Sequence, residues 1–337
     1  MPLDEIHHDA RLRTTLGLAS AWLAAALLLV PDAGAQAQSW PTKNLRFIMS
    51  APAGSSIDVL GRVLADRMKD ALGQSIVVEN IPAAGGTVAT ATVARSAPDG
   101  YTLGIAFNGP LAFAPHLYSR LAYDPLKDLQ PIIITTSQPN VLAIAATLPA
   151  KSVAELIEHT KARPGKLNYA SVGNGSSSHL TMELLKSIAG IDVAHVPFNG
   201  SPPALNALAS GDAQMLFAVP TAITPLAQAG KVRMLAVTSL KRWALLPELP
   251  TIAEGGIAGF ESSAWNGVIA PAGIPTEIAT RANQTLDAAL RDPQVRARLS
   301  AAGLDPVGGS IAAFAALIRA ESEKWAPVIR RTGARID

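Results

Sequence analysis

Four short stretches of the chain combine glycine with hydroxyl and amide side chains: "MSAPAGSSID", "AFNGPLAF", "SVGNGSSSHL" and "PFNGSPPAL". Such residues can hold an anion without a cationic side chain. Glycine lets the backbone approach a ligand closely, and serine and asparagine add hydrogen-bond donors. A helix that begins directly after such a stretch leaves its first N–H groups unpaired and carries about half a positive charge at that end. Together these features make a cup for a carboxylate, phosphate or sulfate. One such stretch carries little weight, because serine and asparagine are ordinary helix caps, and Ser176 or Ser178 can simply cap a helix beginning near His179. Four in one chain carry more.

Other chemistries find less support. The Gly-x-x-x-x-Gly-Lys-Ser/Thr phosphate loop is absent and "GTVATA" is no dinucleotide fingerprint, so nucleotide chemistry is not indicated. The six histidines, His7, His8, His116, His159, His179 and His195, show no metal-ligand spacing on a helix. With no cysteine there is no disulfide, thiol catalysis or Cys-ligated metal. No metal or cofactor is expected. A serine nucleophile needs a sharp Gly-x-Ser-x-Gly turn, and "GNGSSSH" lacks the closing glycine. Adjacent residues at a helix start point in different directions, which argues against a Ser178–His179 dyad. His179 is expected to contact the loop or solvent, and His195 to be structural. Asp58 should sit in the first turn of its helix, against the dipole or shaping the loop. Trp243, Trp265 and Trp325 are expected in core or hinge packing. A secreted hydrolase using one of Ser176, Ser177 or Ser178 with His179 or a distant acid is the alternative from a different class.

Each of the four stretches needs a strand before it and a helix after it, and the periodicity supplies both. "LRFIMS", "YTLGIAF", "LNYA" and "IDVAHVPF" read as strands. "IDVLGRVLADRMKDALG" reads as a helix with Leu60, Val63, Leu64, Met68 and Leu72 on one face and Gly73 at its end. Downstream of "SVGNGSSSHL", Leu180, Leu184, Leu185 and Ile188 share a helical face. "QPIIITTSQPNVLAIAA" is strand-like and broken at Pro139, and "SVAELIEHTKARPGK" carries a capping box at Ser152 and Glu155. Strands alternating with single helices predict an α/β fold with mixed, mainly parallel sheets. All four loops then lie at the carboxyl ends of strands, where open α/β folds bind ligands. Composition breaks near residues 136–140 and 255–262 predict one domain over residues 139–257. A discontinuous one is expected over 38–138 plus 258–337, with the ligand cleft between them. Two crossings of that kind make a hinge.

The bulk properties fit. The chain has 337 residues, 49% hydrophobic and 16% charged, enough for two domains with cores of their own. Residues 1–37 read as a signal peptide for export: "RLRTT", then the apolar run Leu16–Val30, then "AGAQAQ". The apolar run is short for a membrane span. Removing them takes away Asp4, Glu5, Asp9 and Asp32 against Arg11 and Arg13, which moves the formal charge from +2 to +4. Basic residues are scattered and aromatics make up only 5%, so no nucleic-acid partner is expected. A mild positive balance suits small anionic ligands.

In this order, the loops resemble those of the substrate-binding proteins of the tripartite tricarboxylate transporter family, also called Bug receptors. The similarity covers essentially all of residues 40–336. It runs through "WPTKNLRFIMSAPAGSSIDVLGRVLADRM", "VVENIPAAGGTVATATVARSAPDGYTL", "TKARPGKLNYASVGNGSSSHLTMELL", "VPFNGSPPALNALASGDAQMLF", "GKVRMLAVTS" and "LLPELPTIAEGGIAGFE". The resemblance implies a periplasmic binding protein, type II-like, with two α/β domains closing on a small organic acid. It further implies a monomer that delivers its ligand to membrane permease subunits of a tripartite transporter. An orphan receptor serving a sensor kinase is the variant within that class. By resemblance, the carboxylate is held by main-chain N–H groups, small hydroxyls and bridging waters rather than by an arginine. The implied ligand-binding residues are Ala51, Pro52, Ala53, Gly54 and Ser55; Asn108 and Gly109; Asn174, Gly175, Ser176, Ser177 and Ser178; and Asn199, Gly200 and Ser201, with Ala218.

The chain also departs from the family pattern. In the first loop Ser50 stands for a proline, Ala51 for an aromatic residue and Ser55 for the second glycine. Asn199 replaces a common lysine and Ala218 a common aspartate. The last two changes oppose one another in charge. They suggest a roomier, less charged pocket, tilted towards a monocarboxylate with an apolar or aromatic body over citrate.

Overall fold

The strand runs from residue 45 onward assemble into two five-stranded sheets. The first holds, in spatial order, β2 (Ile76–Asn80), β1 (Leu45–Met49), β3 (Thr102–Phe107), β10 (Ser263–Pro271) and β4 (Leu129–Pro139). The second holds β7 (Ala194–Pro197), β6 (Asn168–Ser171), β8 (Met215–Ala218), β5 (Val141–Ala145) and β9 (Val232–Val237). β1 pairs in parallel with β2 and β3, as β6 does with β7 and β8. The antiparallel strand is β10 in the first sheet and β5 in the second. Each is the first strand laid down after the chain crosses from the other sheet, so the two lobes repeat one topology. This is the two-lobed, mixed and mainly parallel α/β architecture that strand–helix alternation predicts.

This computed structural model describes residues 40–336. Two compact units divide the chain, Met1–Thr42 and Lys43–Asp337, and both lobes lie in the second. The export leader expected over residues 1–37 falls outside the described residues.

The helices follow the strands. In the first lobe these are α1 (Ser56–Leu72), α2 (Thr87–Ala94) and α3 (Ala114–Leu117). The second lobe carries α4 (Val153–Lys161), α5 (Ser177–Ala189), α6 (Ser201–Ser210) and α7 (Pro220–Gln228). After the return come α8 (Thr276–Arg291), α9 (Pro293–Ala301) and α10 (Ile311–Thr332). α1 buries the predicted stripe Leu60, Val63, Leu64, Met68 and Leu72 and stops at Gly73 in the left-handed conformation. Each fully buried side chain of this size contributes about 1.5–3 kcal/mol. On α5, Leu180, Leu184 and Leu185 are buried as predicted, but Ile188 is 48% exposed. It sits in the last turn before Gly190 and borders a shallow groove with Phe260 and Trp325 instead of the sheet. "AFNGPLAF" also differs from expectation: a π-helical turn over Gly109–Phe113 precedes α3.

The chain leaves the first sheet at Asn140, directly after β4. Pro139 pairs with Ser263 at the end of the ladder, where a missing N–H is tolerated. The return runs between Val237 and Ser263, and the two crossings are stitched together. Asn140 N–H donates to Thr238 Oγ1 (2.8 Å), Thr238 N–H to the Asn140 carbonyl (2.9 Å), and Ser262 N–H to the Thr238 carbonyl (3.0 Å).

Candidate functional site

The loop after β6 is rigid for reasons legible residue by residue. Ser176 caps α5: its Oγ accepts the His179 N–H (3.3 Å) and donates to the Gly173 carbonyl (2.6 Å). Ser178 Oγ accepts the Val172 N–H (3.0 Å), and Ser177 Oγ accepts from Asn140 Nδ2 (2.8 Å). His179 Nδ1 accepts the Gly175 N–H (3.0 Å), which only a neutral imidazole can do at that atom. Burial lowers the His179 pKa to about 4, with Lys186 adding to the effect. Its ring stacks 4.1 Å from His195, which stacks 4.7 Å from Tyr169. Burial again, with neighbouring His179, brings His195 down to about 3. The hydroxyl–imidazole hydrogen bonds among the described residues, Ser171–His195 and Ser322–His116, lie off the cleft wall.

The loop after β1 uses a different brace. Ser55 caps α1 by accepting the Asp58 N–H (3.2 Å). Asp58 Oδ2 accepts the Gly54 N–H (2.9 Å) and pairs with Arg62 (3.0 Å), while Oδ1 accepts from Asn80 Nδ2 (3.0 Å). Burial pushes the Asp58 pKa up, but hydrogen bonds from Arg62, Gly54 and Asn80 outweigh it and hold the carboxyl below its usual range. Asp58 therefore shapes the loop.

Between these loops lies a cleft of about 680 Å³. Its wall gathers Ala51, Pro52 and Ser55; Asn108; Asn174, Ser176, Ser177 and Ser178; Asn199, Gly200 and Ser201; and Ala218. Four expected residues lie elsewhere. Ala53 and Gly54 form an exposed loop tip, and Gly109 and Gly175 are buried behind the wall. These two glycines meet across the lobes: a Cβ on Gly109 would stand 2.7 Å from the Gly175 carbonyl oxygen. Helix starts from both lobes open onto the cleft, with Ser56 and Ile57 of α1 facing Ser177 and Ser178 of α5. Their N–H groups have no acceptor within their helices.

Sequence reasoning missed Gln138, Asn140 and Asn266 at the crossing and Phe107 and Tyr118 on the first lobe. It also missed the Ala83–Gly86 turn and Ile336, and placed Trp265 in packing alone, whereas Trp265 is 1% exposed and still borders the cleft. Phe107 lies inside one of the four stretches, Ala83–Gly86 inside a motif that carries the family resemblance, and Gln138–Asn140 at the composition break. Among the described residues, the wall holds no Asp, Glu, Lys, Arg or His side chain. Among the described residues no group of three potential metal ligands occurs.

Two lobes hinged by paired crossings, with a neutral cleft between facing helix starts, define a solute-binding protein. The family model for the tripartite tricarboxylate transporter family receptor matches residues 60–334, and the chain belongs to that family. Protein BugT of Bordetella pertussis is 35% identical over 301 residues, covering 89% of this chain and 92% of that protein. An uncharacterised-family protein from the tcbD-tcbE intergenic region of Pseudomonas sp. strain P51 is 34% identical over 86% of this chain and 87% of its own length. Among solved structures, R. palustris Rpa4515 with adipate superposes with a TM-score of 0.83 at 38% identity, covering 87% of this chain and 98% of that one. MatC from Rhodopseudomonas palustris, with bound malate, has a TM-score of 0.81 at 32% identity, covering 86% and 100%. The chain is thus a solute-binding receptor in a family of periplasmic binding proteins, not of enzymes.

Proposed function

We propose that this receptor captures a small organic carboxylate between its lobes and presents it to the permease subunits of a tripartite tricarboxylate-type transporter. The observation that carries this reading is the pair of capped helix starts, Ser55–Ile57 and Ser176–Ser178, opening from opposite lobes onto one uncharged cleft. Main-chain N–H groups there orient the carboxylate, and closure removes water, which strengthens charge-assisted hydrogen bonds as the local dielectric falls. The bound adipate and malate of the two solved relatives support an acid as ligand. In this reading residues 139–257 move against 38–138 plus 258–337, and residues 1–37 direct export and are removed.

Thermal denaturation of the purified protein with a panel of organic acids and their matched amides tests this. A ligand at about 100 times its Kd adds roughly 2.7 kcal/mol to the folded state. Stabilisation by acids and not by amides is expected. Stabilisation by amides alone would replace the carboxylate assignment.

A further inference from the structure

The first lobe brings three large apolar side chains to the cleft wall: Phe107 at the end of β3, Tyr118 just after α3, and Ile336 in the segment after α10. All three are half-buried, unlike Phe217 and Trp265, which are sealed within the wall. Each is held by the backbone around it. A Cβ on Gly86 would stand 2.8 Å from one edge of the Phe107 ring, and a Cβ on Gly109 would stand 2.5 Å from the other. The ring therefore occupies a slot that two glycines leave open. Tyr118 donates its hydroxyl proton to the Ala84 carbonyl (3.2 Å), which ties down its one polar group. Ile336 N–H donates to the Leu117 carbonyl (2.9 Å), in a parallel bridge that sets Ile336 beside Tyr118. Its Cδ1 lies 3.4 Å from the place a Cβ would take on Gly175, so it reaches the loop of the other lobe.

These side chains stand next to the helix starts. The Gly86 position borders Ser50, directly after β1, as well as the Phe107 ring. The Gly109 position borders the carbonyl of Gly175, one residue before the Ser176 cap. We infer that Phe107, Tyr118 and Ile336 select the ligand by its body: it is a carboxylate whose carbon skeleton is apolar, an alkyl chain or a ring, where it meets them. This rests on the carboxylate reading of the helix starts. Covering apolar surface stabilises a complex in proportion to the area removed from water. A hydroxylated skeleton laid on the same surface would give up hydrogen bonds to water without regaining them from these side chains.

Titration calorimetry with butanoate, hexanoate, benzoate and gluconate tests the inference. Hexanoate or benzoate should bind about tenfold tighter than butanoate. Gluconate, as long as hexanoate but hydroxylated along its chain, should bind more weakly than hexanoate. Ile336→Gln keeps the main-chain bond to Leu117 and a side chain of similar length. It should bring the tenfold preference down to about threefold or less. A purely structural role for Ile336 would weaken every acid alike. In the wild type, the Ile336 Cδ1 methyl signal, assigned by its absence from Ile336→Gln, should show a nuclear Overhauser effect to skeleton protons of the tighter-binding acid. Gluconate binding as tightly as hexanoate, an equal loss for every acid in Ile336→Gln, or no Overhauser effect while the acid is bound would overturn the inference and leave the carboxylate reading standing. Binding of other organic acids but of none of the three apolar ones would do the same. If no organic acid binds, the carboxylate reading itself fails and takes the inference with it.

Discussion

The loops after β1 and β6 face one another on the same plan, yet they are braced by different chemistry. In each, a serine caps the helix and the residue three positions on reaches back to the N–H of the glycine before the cap. In the first lobe that residue is Asp58, accepting from Gly54. In the second it is His179, accepting from Gly175. The buried carboxylate has Arg62, itself half-exposed, beside it. The imidazole needs no counter-charge and is sealed against His195 and Tyr169. One local task has two solutions, and the neutral one adds no negative charge behind a loop proposed to hold an anion.

Breaking the second brace should cost most. His179→Asp copies the first lobe's chemistry without its arginine and leaves a buried charge unpaired. A loss of about 3–5 kcal/mol in denaturant unfolding is expected. Asp58→Asn keeps an acceptor for Gly54 but dissolves the Arg62 pair, and about 1.5–3 kcal/mol should be lost in the same assay.

The two braces also separate by pH. His179 and His195 have folded pKa values lowered to about 4 and about 3 from 6.5, so the unfolded chain takes up protons first as pH falls. Their stabilisation is complete above 6.5 and declines between 6.5 and 4, by up to about 1.4 kcal/mol per pH unit for each ring. Asp58, lowered from 3.8, keeps its contribution through that whole window and loses it only below. Unfolding free energies measured across the window should therefore fall in the wild type and fall less in His179→Gln. The smallest effect should come from Gly109→Ala. Its Cβ would crowd the Gly175 carbonyl oxygen of the other lobe and the Phe107 ring. Ligand Kd should rise about fivefold, near 1 kcal/mol.

Much of this was legible in the sequence. Strand–helix alternation announced two α/β lobes, and Gly, Ser and Asn at strand ends marked the loops. Ser176 could be read as a candidate cap because a cap depends on neighbours three residues away, whereas the cap at Ser55 was not read. Gln138, Asn266 and Trp265 could not be read, because they lie in strands that scan as core and reach the cleft only when β4 and β10 pair. Nor could the Ala83–Gly86 turn, which offers the cleft backbone rather than a distinctive side chain. The His179–His195 stack was hidden because it joins a helix start to a strand 16 residues later, a contact made by parallel pairing of β6 and β7.

The central claim is that helix starts from both lobes hold one carboxylate. Amide proton shifts of the isotope-labelled protein, followed while a stabilising organic acid is added, test it most directly. Concerted downfield movement of the Ser56 or Ile57 amide and the Ser177 or Ser178 amide, with one affinity, is the predicted result. Movement confined to one lobe, or none at these amides while the acid binds, would contradict it.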